Sequence, residues 1–283
     1  MIYLATIFSG NLTVPIDPSL EMNTLIYCID FSDIDILFYE TKYQSKISNL
    51  KENVQRFRKK RSVVLTNENL IDRVFSSIVN KNEVYLQILP YYHIFLTCDF
   101  FGGLRYSHRI CFNLKMENLV HNFQLYQPTP MNIVPLITKN LLNRVKFIRE
   151  KNPNISKAEP KNRIFGKNFK KKKKRIFSDG GFLSPELANA YEELDFRIGQ
   201  DYGMTETSSK GTLPDFNPKY CSSVGMIDPS CKIRIIDDEI QIKSKSCMKG
   251  YYKNPKETQK IFIQRMVGFA PEISATLRRT IYT

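Results

Sequence analysis

The chain has 283 residues, of which 42% are hydrophobic, and this is enough for one large domain or two with a real core. Its formal net charge is +14 and its pI is about 9.4, which favours an acidic partner such as nucleic acid, an anionic membrane or a nucleotide. No stretch is apolar for long enough to span a bilayer, because the best candidate, 85–98, contains Gln87, Pro90 and His93.

The cysteines are scattered, and no two of them have the spacing of a metal site. Several lie in apolar strings, which predicts free buried thiols in a reducing compartment. The first eight residues lack the basic lead and the cleavage site of a signal peptide. We therefore expect a cytoplasmic protein. The cysteines in question are Cys28, Cys98, Cys111, Cys221, Cys231 and Cys247.

The first forty residues alternate between helix-forming and strand-forming segments. Helices are predicted over 2–9, where Gly10 is a natural stop, and over 21–29. Strands are predicted over 12–18, which is closed by proline, and over 34–38. This αβαβ order implies a sheet whose strands are joined by crossover helices.

The alternation continues through the middle of the chain. Strands are predicted at 63–66, 84–89, 110–112 and 128–135, and helices at 70–79, 98–104, 118–126 and 136–149. The interval 150–175 is rich in Lys and Asn and is predicted to be a long exposed connector. It ends in the basic run Lys170–Arg175, whose simplest interpretation is a solvated loop.

The last third begins with a strand at 176–178 and a helix over 184–194, with Ser184 as its cap and Pro185 at its first position. An apolar strand through Phe196 and Ile198 follows. From Gly211 onward, short strands such as 232–236 and 240–244 alternate with Asp, Pro and Ser, which predicts a small, barrel-like β subdomain.

A ring, a glycine, a hydroxyl and a carboxylate follow one another in Tyr202-Gly203-Met204-Thr205-Glu206. The ring can stack on a base, and Thr205 can donate to a phosphate oxygen. Glu206 can hold Mg²⁺, a cation that prefers oxygen ligands. The alternative interpretation of this stretch is an ordinary surface turn.

This motif and its neighbours resemble the signature of the adenylate-forming superfamily, most of all its long-chain fatty acyl-CoA ligases. Upstream, Gly180-Gly181-Phe182-Leu183-Ser184 resembles the adenine-pocket segment of the family, with Phe182 in place of a small residue. Further matching blocks stand in the family's order, namely Val63-Val64-Leu65-Thr66, the segment 128–135, Ser223-Val224-Gly225, Glu239-Ile240-Gln241-Ile242 and Met248-Lys249-Gly250-Tyr251-Tyr252-Lys253-Asn254-Pro255.

The resemblance implies an α/β fold, an incomplete N-terminal domain of the adenylate-forming kind with mixed sheets flanked by helices and the barrel-like β subdomain. It implies a first α/β portion over 1–62, a second over 63–210 and a β-rich portion with a divergent tail over 211–283. The implied reaction joins a fatty acid to ATP as acyl-AMP, after which coenzyme A displaces AMP. The implied partners are therefore a fatty acid or related carboxylate, ATP, CoA and a peripheral membrane surface.

The resemblance also assigns roles to individual residues. Thr205 and Glu206 would be catalytic, and Glu206 would also bind Mg²⁺. The nucleotide site would consist of Gly180, Gly181, Phe182, Tyr202, Gly203, Met204 and Thr205. Tyr92 and His93 would line the substrate site, although a lone histidine beside aromatic residues is also typical of a packed core position.

Two departures from the family pattern predict impaired catalysis. Residues 42–61 contain no glycine where the family has a glycine-rich loop around the ATP phosphates, so we expect that loop to be deleted. Residues 264–283 contain neither the aspartate turn nor the lysine-bearing domain of the family. The alternatives are a non-catalytic nucleotide- or acyl-binding remnant, an incomplete gene product, or a nucleic-acid binder built around Lys170–Arg175, a run that lacks interleaved aromatic residues.

Overall fold

The computed structural model describes residues 11–48, 62–75, 82–156, 158–166, 174–220, 223–236 and 239–266. The helix predicted over 2–9 and most of the glycine-free segment lie outside these residues. Within the described part of the chain, every helix is too short or too polar to cross a membrane.

Parallel strands form the central layer. They are β2 (Val84–Gln87), β3 (Arg109–Phe112), β4 (Pro130–Ile133), β5 (Lys174–Ser178) and β6 (Phe196–Gln200), and they follow β1 (Val63–Val64) in the chain. β2 pairs with β3, and β5 pairs with both β4 and β6. The backbone N–H of Thr129 donates to the Val84 carbonyl at 2.9 Å, which places β2 beside the start of β4. The strands therefore lie in the order β3, β2, β4, β5, β6.

Helices connect these strands and cover the sheet. They are α1 (Met22–Phe31), α2 (Gln44–Ser48), α3 (Asn67–Phe75), α4 (Ile94–Arg105), α5 (Leu119–Tyr126), α6 (Pro135–Lys151), α7 (Glu159–Phe165), α8 (Pro185–Glu192) and α9 (Pro255–Met266). Strand residues such as Ile133 and Ile176 are fully buried between helices. β4 is buried along its whole length, whereas the ends of β3 and Arg197 of β6 are exposed.

The remaining strands pair two by two. β7 (Thr212–Leu213) pairs with β8 (Met226–Ile227), β9 (Lys232–Ile236) with β10 (Glu239–Lys243), and β1 with β11 (Gly250–Tyr251), all of them antiparallel. The described residues of this portion are β-rich, as predicted, and their strand pairs form no closed barrel. The predicted α/β architecture, with mixed sheets flanked by helices, is confirmed.

The predicted αβαβ opening is also wrong in its strands. The helix over 21–29 exists as α1, but neither 12–18 nor 34–38 forms a strand. Asp17 instead caps a turn, where its Oδ1 accepts hydrogen bonds from the backbone N–H of Ser19 at 2.8 Å and from the Ser19 hydroxyl at 2.7 Å. Ile36 is 71% exposed, as expected for an apolar segment that has found no partner strand.

The interval 150–175 is not an exposed connector throughout, because helix α7 lies within it. Phe165 is fully buried at the end of α7, with its ring centroid 4.8 Å from that of Phe196. Lys161 is buried and donates to the Leu194 carbonyl at 2.9 Å. A segment of polar composition therefore forms a packed helix. The basic run ends inside β5, where Arg175 pairs with Glu83 at 3.4 Å.

Local signals elsewhere predict the structure well. Ser184 caps α8 by accepting a hydrogen bond from the backbone N–H of Leu187 at 3.3 Å, and Pro185 occupies the first helical position. The prediction of free thiols is confirmed for the cysteines described, although Cys28 and Cys247 are only half-buried.

Candidate functional site

Two predicted segments leave the sheet at the same edge. Ser178 at the end of β5 is the register partner of Gln200 at the end of β6. The segment 180–182 follows the first strand, and the segment 202–206 follows the second. In open α/β sheets ligands bind outside the carboxyl ends of the strands, so this edge is the candidate site.

The turn after β5 depends on a glycine. Gly180 has a φ of +75°, a conformation that side chains with a Cβ rarely adopt, and its N–H donates to Asp179 Oδ1 at 2.6 Å. Phe182 is 70% exposed at the tip of the turn. The backbone N–H of the buried Leu183 donates to Gln200 Oε1 at 3.0 Å and so holds the turn against the end of β6.

The Tyr202 loop is tightly closed. Tyr202 is half-buried and packs against a small apolar cluster of Cys231, Ile233 and Ile242. At Gly203 a Cβ atom would lie 2.6 Å from the Ser209 carbonyl carbon, so only glycine fits where the two limbs of the loop meet. Met204 follows as the N-cap of a short 3₁₀ turn over Thr205–Thr207.

The turn presents Thr205 and Glu206 differently. Thr205 is exposed, whereas Glu206 is half-buried and accepts a hydrogen bond from the Tyr251 hydroxyl at 2.7 Å through Oε1. The Glu206 carbonyl accepts from the backbone N–H of Met248, also at 2.7 Å. Among the described residues no group of three His, Cys, Asp or Glu side chains could hold a metal ion. A single carboxylate nevertheless suits Mg²⁺, which is commonly held by one or two carboxylates together with substrate phosphates.

The segment 208–210 anchors the loop to the rest of the fold. The Ser208 hydroxyl donates to the Ser246 carbonyl at 2.8 Å, and Arg73 Nε donates to the Ser209 carbonyl at 3.2 Å. Lys210 is almost completely buried, and its Nζ lies 2.8 Å from Asp72 Oδ2 on α3. The Ser209 hydroxyl donates to Asp179 Oδ2 at 3.3 Å, which ties the Tyr202 loop to the Gly180 turn.

A group of charged residues, of which Asp179 is buried and Arg73, Asp99 and Asp201 are partly buried, lies next to these turns, and the sequence interpretation missed it. Burial raises the pKa of Asp99 to about 7 and that of Asp201 to about 8, while the positive charge of Arg73 acts in the opposite direction. Burial also raises the pKa of Asp179, the neighbour of Gly180. Asn132 on β4 donates to Asp99 Oδ2. The sequence does contain a signal of this group, because Asp99 lies inside an apolar helix and Asp201 directly precedes the Tyr202 motif.

The two consecutive residues predicted to line a substrate site interact with different parts of the structure. Tyr92 is exposed, and its hydroxyl is hydrogen-bonded to Asp17. His93 is also exposed and is the residue before α4. It lies within electrostatic range of Asp179, beside the Gly180 turn. Of these two residues, His93 is the one that lies near the Gly180 turn. The substrate role of both residues stays a prediction.

Comparisons with known proteins point to one family. The AMP-binding enzyme family matches residues 59–252. Long chain acyl-CoA synthetase 7, a peroxisomal protein of Arabidopsis thaliana, is 24% identical over 246 residues, which cover 71% of this chain and 35% of the synthetase. The N-terminal domain of FACL13 from Mycobacterium tuberculosis has a TM-score of 0.69 at 15% identity, covering 89% of this chain and 74% of that one.

The o-succinylbenzoate CoA synthetase MenE of Bacillus subtilis, solved with its acyl-adenylate intermediate OSB-AMP, has a TM-score of 0.65 at 19% identity and covers 90% of this chain and 75% of that one. These structural likenesses show the fold, that of the N-terminal domain of adenylate-forming enzymes. The chain spans about a third to two fifths of the length of the curated relatives it matches. Since the family match extends over more than half of its residues, the chain belongs to the AMP-binding enzyme family, which includes acyl-CoA synthetases and related adenylate-forming ligases.

Proposed function

We propose that this chain carries the nucleotide-binding part of an AMP-dependent acid–thiol ligase, which joins a fatty acid or related carboxylate to CoA through an acyl-adenylate. The observation that supports this most directly is the adjacency of the Gly180 turn and the Tyr202 loop. They leave neighbouring parallel strands and are joined by the hydrogen bond from the Ser209 hydroxyl to Asp179 at 3.3 Å. Relatives that make acyl-CoA support the reaction class.

Each residue of the site has a role in this proposal. Gly180 and Gly181 allow a base to approach the backbone, and Tyr202 stacks on it from a position held by the cluster beneath. Thr205 has an exposed hydroxyl that can donate to a phosphate oxygen. Glu206 supplies the carboxylate for Mg²⁺, which when bound would neutralise phosphate charge.

Adenylation by this chain is proposed to be impaired. Transfer at phosphorus depends mainly on positioning and charge neutralisation, and residues 42–61 contain no glycine from which a phosphate loop could be built. The proposal is therefore nucleotide binding with slow or absent turnover.

The experiment measures binding and turnover separately. We expect ATP with Mg²⁺ to raise the melting temperature of the chain, and pyrophosphate release with palmitate and CoA to be slow. Glu206→Gln should lose the Mg²⁺-dependent part of the shift, because the amide keeps an acceptor for Tyr251 but loses the charge. Glu117→Gln, at an exposed position outside the site, is the matched control. If neither ATP nor AMP shifts the melting temperature, the proposed nucleotide site does not exist.

The alternative is a non-catalytic protein that binds a nucleotide or an acyl group. It shares the binding step, so turnover distinguishes the two. Pyrophosphate release that depends on added palmitate supports an impaired ligase. Nucleotide binding without pyrophosphate release at any enzyme concentration supports the non-catalytic protein.

A further inference from the structure

A tyrosine hydroxyl holds the carboxylate on which the proposed metal role depends. The Tyr251 hydroxyl donates to Glu206 Oε1 at 2.7 Å. Tyr251 is 5% exposed, whereas Glu206 is half-buried and can still be reached by water. The hydrogen bond therefore joins a buried donor to a residue at the edge of the candidate site.

The backbone around Tyr251 fixes the position of its ring. Tyr251 lies on β11, opposite Val63 of the antiparallel strand β1. Its backbone N–H donates to Thr258 Oγ1 at 2.9 Å, and Thr258 lies on α9. A Cβ atom at Gly250 would lie 2.7 Å from Thr258 Cγ2, so the glycine allows α9 to pack this closely against the strand. A strand and a helix thus support the donor from two sides.

The segment that carries this tyrosine holds Glu206 at two points. The backbone N–H of the buried Met248 donates to the Glu206 carbonyl at 2.7 Å, so the main chain of Glu206 is fixed as well as its carboxylate. The last torsion of a glutamate side chain is broadly distributed, and a carboxylate without a partner therefore samples many orientations. The hydrogen bond from Tyr251 restricts this torsion.

We propose that Tyr251 is a positioning residue for Mg²⁺ in this site. By holding Oε1 of Glu206, it leaves Oε2 for the metal that accompanies the ATP phosphates. This inference rests on the proposed function, because it takes Glu206 as the metal-binding carboxylate. The hydroxyl is a neutral donor and leaves the negative charge of the carboxylate in place. Groups that hydrogen-bond to a metal ligand from behind typically contribute roughly 10–100-fold to metal affinity.

A tyrosine that only stabilised the fold would give a different result. Loss of its hydroxyl would loosen the loop and weaken ATP binding to a similar extent with and without Mg²⁺. A positioning role predicts a loss that is confined to the Mg²⁺-dependent part of binding. The decisive quantity is therefore the ratio of two dissociation constants for ATP, the one in excess EDTA divided by the one in saturating Mg²⁺.

The test measures this ratio for the full chain by isothermal titration calorimetry. We expect Tyr251→Phe, which removes only the hydroxyl, to lower the ratio about tenfold while changing the dissociation constant in EDTA by less than about twofold. Glu206→Gln should lower the ratio at least as far. Adding Tyr251→Phe to Glu206→Gln should have no further effect, because both substitutions act on the same carboxylate.

Two other tyrosines of the chain are matched controls. The Tyr252 hydroxyl also donates to a carboxylate oxygen at 2.7 Å, that of Asp33. The Tyr191 hydroxyl donates to the Thr138 carbonyl at the same 2.7 Å, and Tyr191 is fully buried. Tyr191→Phe therefore controls for the removal of a buried hydroxyl, and Tyr252→Phe for a change at the neighbouring residue. Both variants should keep the ratio of the unchanged chain.

Glu206→Asp tests the same contact without a change in β11. It keeps the charge, but its carboxylate lies one methylene further back, so we again expect a loss of about tenfold in the ratio. The proposal is overturned if the unchanged chain prefers Mg²⁺ and either Tyr251→Phe or Glu206→Asp keeps that preference. Equal weakening in EDTA and in Mg²⁺ would also overturn it. If the unchanged chain binds ATP equally well with and without Mg²⁺, the proposed role of Glu206 fails and that of Tyr251 fails with it.

Discussion

The buried ion pair between Lys210 and Asp72 should contribute more to stability than any surface pair of this chain that the structure describes. Lys210 lies on the Tyr202 loop and Asp72 on α3, with 2.8 Å between Nζ and Oδ2. The Lys210 side chain is 1% exposed and that of Asp72 is 18% exposed. The perturbation is Lys210→Met, which keeps most of the apolar stem and removes the charge.

The expected loss follows from the burial of both groups. Removing one partner of a buried pair typically costs about 3–5 kcal/mol, because the other charge is left uncompensated. Asp72 keeps some access to water, so we expect the lower end of this range, about 3 kcal/mol. Urea unfolding followed by far-UV circular dichroism measures this loss, and the chain has no tryptophan to report it by fluorescence.

Two controls separate the charge from the shape. Lys260→Met breaks an ion pair with Glu257 of the same 2.8 Å length, but Lys260 is 66% exposed, so we expect a loss of no more than about 0.5 kcal/mol. Combining Lys210→Met with Asp72→Leu should recover part of the loss, since no charge is then left buried alone. If Lys210→Met is no more harmful than Lys260→Met, the buried pair does not anchor the loop.

Two further predictions concern the acid group and the loop. Asp99 and Asp201 have folded-state pKa values of about 7 and about 8, above the 3.8 of a free carboxyl, so the folded state binds protons more tightly than the unfolded state. The free energy of unfolding should therefore rise by several kcal/mol as the pH falls from 8.5 to about 5, and Asp201→Asn should flatten this rise. Denaturant titrations across that range that show no rise would contradict the reasoning. Gly203→Ala should cost about 2–3 kcal/mol because its Cβ would lie 2.6 Å from the Ser209 carbonyl carbon, whereas Gly102→Ala, which meets nothing within 4 Å, should be neutral or stabilising by up to about 1 kcal/mol. Equal melting temperatures for these two variants would show that the loop can open to accept the methyl group.

The candidate site could be predicted only as far as its segments are contiguous in sequence. The Gly180 and Tyr202 motifs each carry their own signal, and each of them follows a predicted strand, so their presence at one sheet edge could be anticipated. Tyr251 as the partner of Glu206 could not, because a hydrogen bond between residues so far apart in the chain leaves no pattern in either segment.

The sequence by itself determined the helices and strands whose ends are marked locally. Ser184 and Pro185 start α8 through a cap and a preset φ, and both features act within a few residues. The tertiary structure alone decided which segments of similar apolar character became strands, since 34–38 found no partner whereas β5 found two. It also decided that Arg73, Asp99 and Asp201 would share one partly buried region, because their proximity depends on how α3, α4 and β6 pack together, and no local spacing encodes that packing.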